Sequence, residues 1–234
     1  MNVSSDDNAS QAVLGTKSSY HGLDRADMRP FLPARRARVL EVGCGEGRFS
    51  GAIDGVEESW GIEPSSAAEA ARTRLTRVFQ ATFDEAESEL PVGYFDLVIC
   101  NDVIEHMADH GRFFSRIGQY IAPGGMIIGS IPNVRFYNNM FEYLFEKDWH
   151  YTDYGILDRT HLAFFTEKSL RKTLERYGFD ILTLNGINSW FRFSKTARTL
   201  TYLWAAYALV ALSLGYFADI RHLQFAFQAT PKKS

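Results

Sequence analysis

The sequence predicts an α/β protein whose sheet is mainly parallel and is covered by helices on both faces. Three observations lead to this class. A short apolar strand at 38–42 stops in a glycine-rich turn at 43–47, and a helical stretch follows. A longer apolar strand spans 94–101. A helix-like stretch ending in Pro-Gly-Gly separates it from another apolar strand at 126–131. Apolar strands that alternate with helices are typical of a parallel sheet between two helical layers.

The other elements are predicted from short apolar runs bounded by turn residues. The predicted strands, in chain order, are 38–42, 59–63, 77–81, 94–101, 126–131, 179–187 and 222–230. The predicted helices are 18–30, 48–53, 64–74, 111–121, 136–145 and 166–177, with Thr166 as the N-cap of the last one.

Two acidic residues are predicted to lie at strand ends, where an open α/β sheet binds its ligand. Glu41 comes just before the glycine turn, and Glu63 ends the second strand. Glycines at 43, 45 and 47 let the backbone turn tightly and approach a ligand, because they have no Cβ. Glu63 is placed to accept hydrogen bonds from two ribose hydroxyls. Arg48 occupies the place of the third glycine of a dinucleotide fingerprint, which disfavours a nicotinamide-dependent oxidoreductase.

The glycine motif and a second stretch together carry a family resemblance. Glu41-Val-Gly-Cys-Gly-Glu-Gly47 resembles the first motif of class I S-adenosylmethionine (SAM)-dependent methyltransferases. The order Phe95-Asp-Leu-Val-Ile-Cys-Asn-Asp-Val-Ile-Glu-His106, helix, Pro-Gly-Gly, apolar strand strengthens it. The resemblance implies a Rossmann-like three-layer sandwich with a seven-stranded, mostly parallel sheet and an antiparallel last strand. It also implies an enzyme that uses SAM and releases S-adenosylhomocysteine (SAH).

The resemblance also implies the cofactor site. The family often carries an acidic residue after the third strand that contacts the adenine amino group, but Thr82 stands there and Asp84 comes two residues later. Phe83 either covers the adenine ring or belongs to the core. The predicted cofactor-binding residues are Glu41, Gly43, Cys44, Gly45, Gly47, Glu63, Pro64, Thr82, Phe83, Asp84, Asn101 and Asp102.

An aromatic-rich segment at 133–165 is predicted to be a lid or substrate-binding insertion, since ten of its positions are aromatic. The alternative is an aromatic mini-core beneath a long loop. The stretch 156–165, together with Ser-Ile-Pro-Asn-Val-Arg at 130–135, resembles bacterial methyltransferases of polysaccharide and glycan assembly. This resemblance implies a sugar or glycan hydroxyl as the acceptor. The predicted substrate-binding residues are Tyr20, Asn133, Arg135, Tyr137, Tyr151 and Arg159.

Two histidines are candidates for a general base, because a hydroxyl nucleophile must lose its proton during methyl transfer. His106 follows the fourth strand and ranks first; His161 lies in an Asp-Arg-Thr-His sequence within the insertion. A structural, hydrogen-bonding role is the alternative for both. His106 and His110 have a metal-ligand spacing, but the H-E-x-x-H order is absent, so no metal is predicted.

Composition limits the other possibilities. The net charge of −3 gives no basic excess, so nucleic acid is not an expected partner. Cys44 and Cys100 are expected to be small buried thiols. The N-terminus has no secretory signal pattern, which indicates a cytoplasmic protein. Residues 1–17 are expected to form a disordered tail before a single methyltransferase domain at 18–234.

A hydrophobic helix is predicted at about 197–218, and residues 200–218 carry no charged side chain. Its length suits a membrane span, but its polar and aromatic members favour a helix packed on the domain or on a partner, such as a second copy of the chain. Association with a membrane surface is the alternative. Two other functions remain open: methylation of a phenol or amine of a small natural product, and a non-catalytic SAM-binding scaffold in glycan assembly.

Overall fold

The computed structural model describes residues 25–189 and 197–232. The expectation of a disordered tail at 1–17 and the candidate Tyr20 both lie outside these residues. Within the described part of the chain, seven strands form one sheet in the order β3-β2-β1-β4-β5-β7-β6. The strands are β1 (Arg38–Val42), β2 (Glu58–Ile62), β3 (Arg77–Phe79), β4 (Phe95–Asn101), β5 (Ile121–Pro132), β6 (Phe179–Ser189) and β7 (His222–Pro231).

The predicted fold class is confirmed. Strands β1 to β5 pair in parallel, and β7 runs antiparallel to both β5 and β6. The carboxyl ends of β1, β2 and β4 therefore meet at one edge of the sheet. Val42 pairs with Ile62, and Glu41 pairs with Ile99. This edge is the crevice in which such sheets bind ligands.

The apolar run of β4 shows why the sheet needs a helical layer on each face. Val98 and Cys100 pack in one core cluster with Phe113 and Phe114, while Leu97 and Ile99 pack in another with Met28. Successive side chains of a strand point to opposite faces. A strand that is apolar at every position is therefore buried on both sides.

The helices are shorter than predicted, and short 3₁₀ turns replace several of their ends. The predicted helix at 48–53 is a 3₁₀ turn at Ser50–Ala52, and the described part of the 18–30 helix is a 3₁₀ helix at Ala26–Phe31. The α-helices are α1 (Ala67–Ala71), α2 (Phe83–Ala86), α3 (His110–Ile117), α4 (Tyr137–Phe141), α5 (Glu167–Arg176) and α6 (Ala197–Leu212).

The role predicted for the Pro-Gly-Gly sequence at 123–125 was wrong. Helix α3 already ends at Ile117, and β5 begins at Ile121, so the two glycines lie inside the strand. The pairing of β4 with β5 shifts register here. Gly124 has a φ of +79°, and a Cβ on Gly125 would lie 2.9 Å from the carbonyl oxygen of Phe95. The glycines therefore form a bulge instead of a helix stop.

The aromatic segment begins and ends at one point of the fold, because Asn133 and Phe165 form an isolated bridge. Helix α4 continues into a π-helical turn at Glu142–Glu146. The first part of the segment matches the mini-core alternative. Phe136, Tyr137 and Phe141 are buried in a cluster with residues of α6.

Helix α6 packs one side on α4, through Ala206 in the same cluster, as expected for a helix packed on the domain. Its other side exposes large apolar side chains, and Trp204 is 73% and Leu212 is 85% exposed. Among the helices of the described residues, none is both long and apolar enough to cross a membrane.

Candidate functional site

The turn after β1 adopts a conformation that requires glycine. Gly43, Gly45 and Gly47 have φ values of +72°, +52° and +72°, which disfavour side chains. A Cβ on Gly43 would lie 2.7 Å from Cγ2 of Val103. The segment that follows β4 therefore lies directly against the glycine turn, and Val103 leads into the Ile104–His106 turn.

Glu63 lies at the end of β2, buried and facing the same turn. Its carboxylate accepts hydrogen bonds from the backbone N–H groups of Gly45 and Ser65, both at 2.9 Å. An ionised carboxylate has about four acceptor positions, so two remain for a ligand. The exposed Pro64 follows it directly. This geometry fits the predicted ribose contact, which stays a prediction.

Glu41, predicted to contact the cofactor, has one carboxyl oxygen, Oε2, engaged within the protein. Its buried carboxyl group accepts hydrogen bonds from the backbone N–H and the hydroxyl of Ser50. Burial raises the pKa of Glu41 to about 7. The geometry gives Glu41 the role of holding the turn after the glycines to the end of β1. Cys44 and Cys100 are buried free thiols, as expected.

The three residues proposed near the adenine ring are already engaged within the protein. Thr82 caps helix α2 in a capping box with Glu85. Phe83 is buried in the core, and its ring packs edge-on against Phe113 with centroids 5.0 Å apart. Asp84 pairs with the exposed Arg112 at 3.1 Å. The core alternative for Phe83 therefore matches the geometry.

The end of β4 supplies the observation that best fits a bound polar cofactor. Both side-chain polar atoms of Asn101 are buried, and neither has a hydrogen-bond partner among the described residues. Buried polar groups are nearly always hydrogen-bonded, so an orphaned amide at the ligand edge indicates a missing partner. SAM carries amino, carboxylate and hydroxyl groups that could bind this amide.

Asp102 is held by the protein instead of pointing freely into the crevice. Its carboxylate pairs with Arg25 and accepts hydrogen bonds from Ser130 Oγ and Gln224 Nε2, both at 2.8 Å. These partners come from the segment before β1 and from β5 and β7. Asp102 therefore ties three parts of the fold together at the sheet edge, with a φ of +50°.

The two candidate histidines, distant in the sequence, are brought together in the structure. The rings of His106 and His161 pack edge-on with centroids 4.7 Å apart. Glu105 lies beside them, and its Oε1 is 4.0 Å from Nε2 of His161. One ligand atom from each of these three residues lies within 4.8 Å of the others. We call Glu105, His106 and His161 the histidine cluster.

Nδ1 of each ring in the histidine cluster lies within hydrogen-bond distance of the insertion. Nδ1 of His161 lies 2.9 Å from the carbonyl oxygen of Ile156, and Nδ1 of His106 lies 3.2 Å from that of Thr160. The carbonyl of Ile156 only accepts, so Nδ1 of His161 carries the proton, and in its neutral ring Nε2 keeps a lone pair. Nδ1 of His106 also lies 3.1 Å from the hydroxyl oxygen of Thr160, which can donate or accept. Burial lowers the pKa of His161, which favours its neutral form.

Glu105 is the residue of the histidine cluster whose side chain lacks hydrogen-bond partners. It is 1% exposed, and neither carboxyl oxygen has a hydrogen-bond partner among the described residues. Burial, followed by the charge of Asp102, raises the pKa of Glu105 well above its usual range. Its backbone carbonyl accepts hydrogen bonds from the N–H groups of Leu162, at 2.7 Å, and Ala163, at 3.1 Å. These bonds hold the segment of His161 against the end of β4.

Three of the predicted substrate-binding residues have internal partners. Asn133 is fully buried and donates hydrogen bonds to the carbonyl oxygens of Asp219 and His222. Arg135 forms an ion pair with Asp219. Tyr137 is buried in the α4–α6 cluster. Asn133 and Tyr137 therefore cannot line an open acceptor site in this conformation.

Tyr151 and Arg159 lie on the exposed part of the insertion. Tyr151 is close to Phe164, with ring centroids 6.5 Å apart, and Phe164 is 6.3 Å from the His161 ring. Trp149 packs edge-on against Phe164 at 5.3 Å. Arg159 is exposed and pairs with Asp153. Trp149, Tyr151 and Phe164 thus form an aromatic wall next to the histidine cluster.

Sequence reasoning missed two residues of this region. Neither Glu105 nor Arg25, which pairs with Asp102 across 77 positions, was among the predicted site residues. Glu105 could have been found, because it directly precedes His106 in a turn at a strand end. No local signal points to Arg25.

The architecture defines a class I methyltransferase fold, and the comparisons place the chain in a family. A sequence model described as "Methyltransferase domain" matches residues 22–184, which is more than half of the chain. The chain therefore belongs to this methyltransferase family, and SAM is its cofactor.

Similar curated proteins share only part of their length with this chain. A probable S-adenosylmethionine-dependent methyltransferase of Mycolicibacterium smegmatis is 37% identical over 97 residues, which cover 41% of this chain and 38% of that protein. A ubiquinone biosynthesis O-methyltransferase of Nitrobacter winogradskyi is 25% identical over 170 residues, which cover 64% and 59%. The chain thus spans less than two thirds of the length of these relatives.

Solved structures match over more of the chain. A SAM-dependent methyltransferase of Archaeoglobus fulgidus has a TM-score of 0.66 and 18% identity, covering 97% of this chain and 99% of that one. A Burkholderia thailandensis 1,6-didemethyltoxoflavin-N1-methyltransferase with bound SAH has a TM-score of 0.58 and 17% identity, covering 92% and 85%. At these identities the likeness shows the fold.

Proposed function

We propose that this chain transfers the methyl group of SAM to a hydroxyl group of a small acceptor, either a sugar or glycan intermediate or a phenol. The histidine cluster carries this proposal. A hydroxyl must lose its proton as it attacks the methyl carbon, whereas a neutral amine can attack first. A group that takes or releases that proton is therefore expected near the acceptor. The imidazole rings of His106 and His161 suit that task.

The position of the histidine cluster supports this reaction. SAM supplies an activated methyl group on a positively charged sulfur. The glycine turn has no side chains at Gly43, Gly45 and Gly47, so the cofactor could approach its backbone closely. Glu63 offers hydrogen-bond acceptors for the ribose. Val103 lies over Gly43, and His106 follows three residues later. The acceptor would thus be held between the cofactor turn and His106, where alignment contributes much of the rate.

The aromatic wall limits the choice of acceptor. Trp149, Tyr151 and Phe164 offer broad apolar surfaces that pack on a flat ring or on the C–H face of a sugar. The exposed Arg159 would contribute polar contacts at its rim. Relatives named ubiquinone biosynthesis O-methyltransferase support oxygen as the methylated atom. The resemblance of 130–135 and 156–165 to glycan-assembly methyltransferases supports a sugar.

We also propose that the exposed side of α6 contacts a second copy of the chain or a membrane surface. Large apolar side chains at Leu200, Trp204 and Leu212 are 44%, 73% and 85% exposed, and together they form an unusual surface for a protein in water. Light scattering and flotation with anionic vesicles separate the two partners. A monomer that does not float would contradict this proposal.

The first experiment is calorimetric titration of the full chain with SAM, SAH and, as a control, NAD. We expect binding of both adenosyl ligands and none of NAD. The next step is a mass-spectrometric screen of nucleotide sugars, dihydroxybenzoates and primary amines for gain of one methyl group. A folded chain that binds neither SAM nor SAH, or that methylates only amines, would refute the proposed function.

Variants test the histidines directly. His106→Ala is expected to lower kcat by about 100-fold or more, because loss of proton transfer typically costs 10²–10⁴-fold. His161→Gln should have an effect of similar size. His150→Ala is the matched control, since His150 is exposed and lies outside the histidine cluster. Wild-type rates in both cluster variants would rule out a role of these histidines in the reaction.

A further inference from the structure

We propose that Glu105, His106 and His161 form a binding site for one divalent transition-metal ion, and that this ion binds the acceptor hydroxyl. The inference rests on the proposed function for the role of the ion, but the site itself is argued from the geometry of these three side chains. The sequence suggested no metal, because it considered the pair His106 and His110. The structure assembles a different trio.

The ligand atoms face one another without any hydrogen bond between them. Nε2 of His161 and Oε1 of Glu105 are 4.0 Å apart, which is too far for a hydrogen bond. The ligand atoms of all three residues lie within 4.8 Å of one another. Metal–nitrogen and metal–oxygen bonds of about 2.1 Å would bring neighbouring ligand atoms to about 3 Å from each other. Small movements of the three side chains would close the site.

Hydrogen bonds at the two rings are consistent with a role as metal ligands. Such a histidine typically donates its other ring N–H to a carbonyl or carboxylate, which sets the tautomer and aims the lone pair at the metal. His161 meets this condition through the carbonyl oxygen of Ile156, and Nδ1 of His106 lies 3.2 Å from the carbonyl oxygen and 3.1 Å from the hydroxyl of Thr160. Two histidines held through Nδ1, with a ligand atom of each close to one buried carboxyl group, are the arrangement that a metal ion requires.

The buried carboxyl group of Glu105 is the second, independent observation. It is 1% exposed, and its two oxygens have no hydrogen-bond partner among the described residues. A buried carboxyl group without partners either keeps its proton or has its charge offset by a cation, and a bound cation would also give its oxygens the partners that they lack. The nearest acid, Asp102, is already held by Arg25, Ser130 and Gln224 and is not needed as a ligand.

The donor set indicates the kind of ion. Two imidazole nitrogens and one carboxylate oxygen suit Zn²⁺, Mn²⁺, Fe²⁺ or Co²⁺ better than Mg²⁺ or Ca²⁺, which prefer oxygen ligands. Three protein ligands leave positions open for water or substrate. A cation there lowers the pKa of a bound hydroxyl, so the ion would take the place of a histidine base in the proposed reaction. The hydroxyl proton then passes to water, the oxygen bonds to the methyl carbon, and the carbon–sulfur bond breaks with its electron pair returning to sulfur to give SAH.

The test uses the full chain after treatment with a chelator. Co²⁺ titration followed by visible absorption should show one bound ion per chain, and dialysis with Zn²⁺ and Mn²⁺ followed by elemental analysis should give the same ratio. Mg²⁺ should bind at least about tenfold more weakly. His106→Ala, His161→Gln and Glu105→Gln should each weaken Co²⁺ binding by at least about tenfold. The control His150→Ala should bind Co²⁺ like the wild type. Circular dichroism confirms that each variant is folded.

The outcomes separate this proposal from the proposed function. SAM should bind equally to the metal-free and the Co²⁺-loaded chain, while methylation should require the ion. If the folded wild-type chain binds no Co²⁺, Zn²⁺ or Mn²⁺ and still methylates a hydroxyl, the metal site is refuted, and a histidine base remains. If Co²⁺ binds and the three variants lose it, the site stands even where no acceptor is methylated.

Discussion

Gly43 offers a sharp test of how the glycine turn and the segment after β4 fit together. In Gly43→Ala the new Cβ would lie 2.7 Å from Cγ2 and 3.0 Å from Cβ of Val103. The left-handed φ of +72° costs a residue with a side chain about 1–2 kcal/mol. Overpacking of this kind typically costs a further ~1–3 kcal/mol. We expect the free energy of unfolding, measured by urea denaturation, to fall by about 2–5 kcal/mol.

A matched glycine separates the two contributions. Gly55 has a φ of +77°, and a Cβ there would meet nothing within 4 Å. Gly55→Ala should therefore cost only the backbone part, about 1–2 kcal/mol. In the double variant Gly43→Ala/Val103→Ala, the smaller side chain at 103 makes room for the new Cβ. Its free energy of unfolding should therefore be higher than the sum of the two single effects predicts. If Gly43→Ala destabilises the chain no more than Gly55→Ala does, the close contact with Val103 is not rigid, and the reasoning fails.

Two further predictions concern a helix cap and a buried acid. Thr166 accepts a hydrogen bond from the backbone N–H of Ser169, so Thr166→Ala should lower the free energy of unfolding by about 1 kcal/mol. The control Thr173→Ala, inside the same helix, should not lower it. Equal urea midpoints for the two variants would contradict the role of Thr166 as a cap. Glu41 has a pKa of about 7 when folded and 4.5 as its ordinary value, so it holds its proton longer in the folded chain. The free energy of unfolding should therefore fall as pH rises from about 4.5 to about 7, by up to roughly 3 kcal/mol, and Glu41→Gln should remove this part of the slope. Parallel pH profiles of the two proteins would refute the raised pKa.

The fold could be predicted because its signals are local. The run of apolar residues in β4 and the glycines after β1 each specify their own conformation within a few positions. The Pro-Gly-Gly sequence shows the limit of such reasoning. Glycine at a positive φ ends a helix or forms a bulge equally well. The contact of Gly125 with the carbonyl of Phe95 decided the outcome, and that contact joins residues distant in the sequence.

The candidate site was predictable on the cofactor side and less so on the acceptor side. Glu63 and the three glycines lie at the strand ends where a parallel sheet binds ligands, so their places followed from the strand assignment. The residues of the insertion do not lie at strand ends, so the strand assignment does not predict their positions. Aromatic residues serve both a core and a ligand wall, and only packing against α6 assigned Tyr137 to the core while leaving Tyr151 exposed.

The stretch from Val103 to His106 connects the two halves of the site. Val103 lies against Gly43 of the cofactor turn, while the carbonyl of Glu105 holds Leu162, next to His161. A shift of the insertion would move His161 relative to His106 and would also press on Val103. Only variants that displace this stretch should therefore change the affinity for SAM. Trp149 contacts Phe164 and lies outside this stretch, so Trp149→Ala should weaken acceptor binding and leave the affinity for SAM unchanged within about twofold. Val103→Phe should weaken SAM binding. If Val103→Phe binds SAM like the wild type while Trp149→Ala loses SAM affinity, this account of the stretch is wrong.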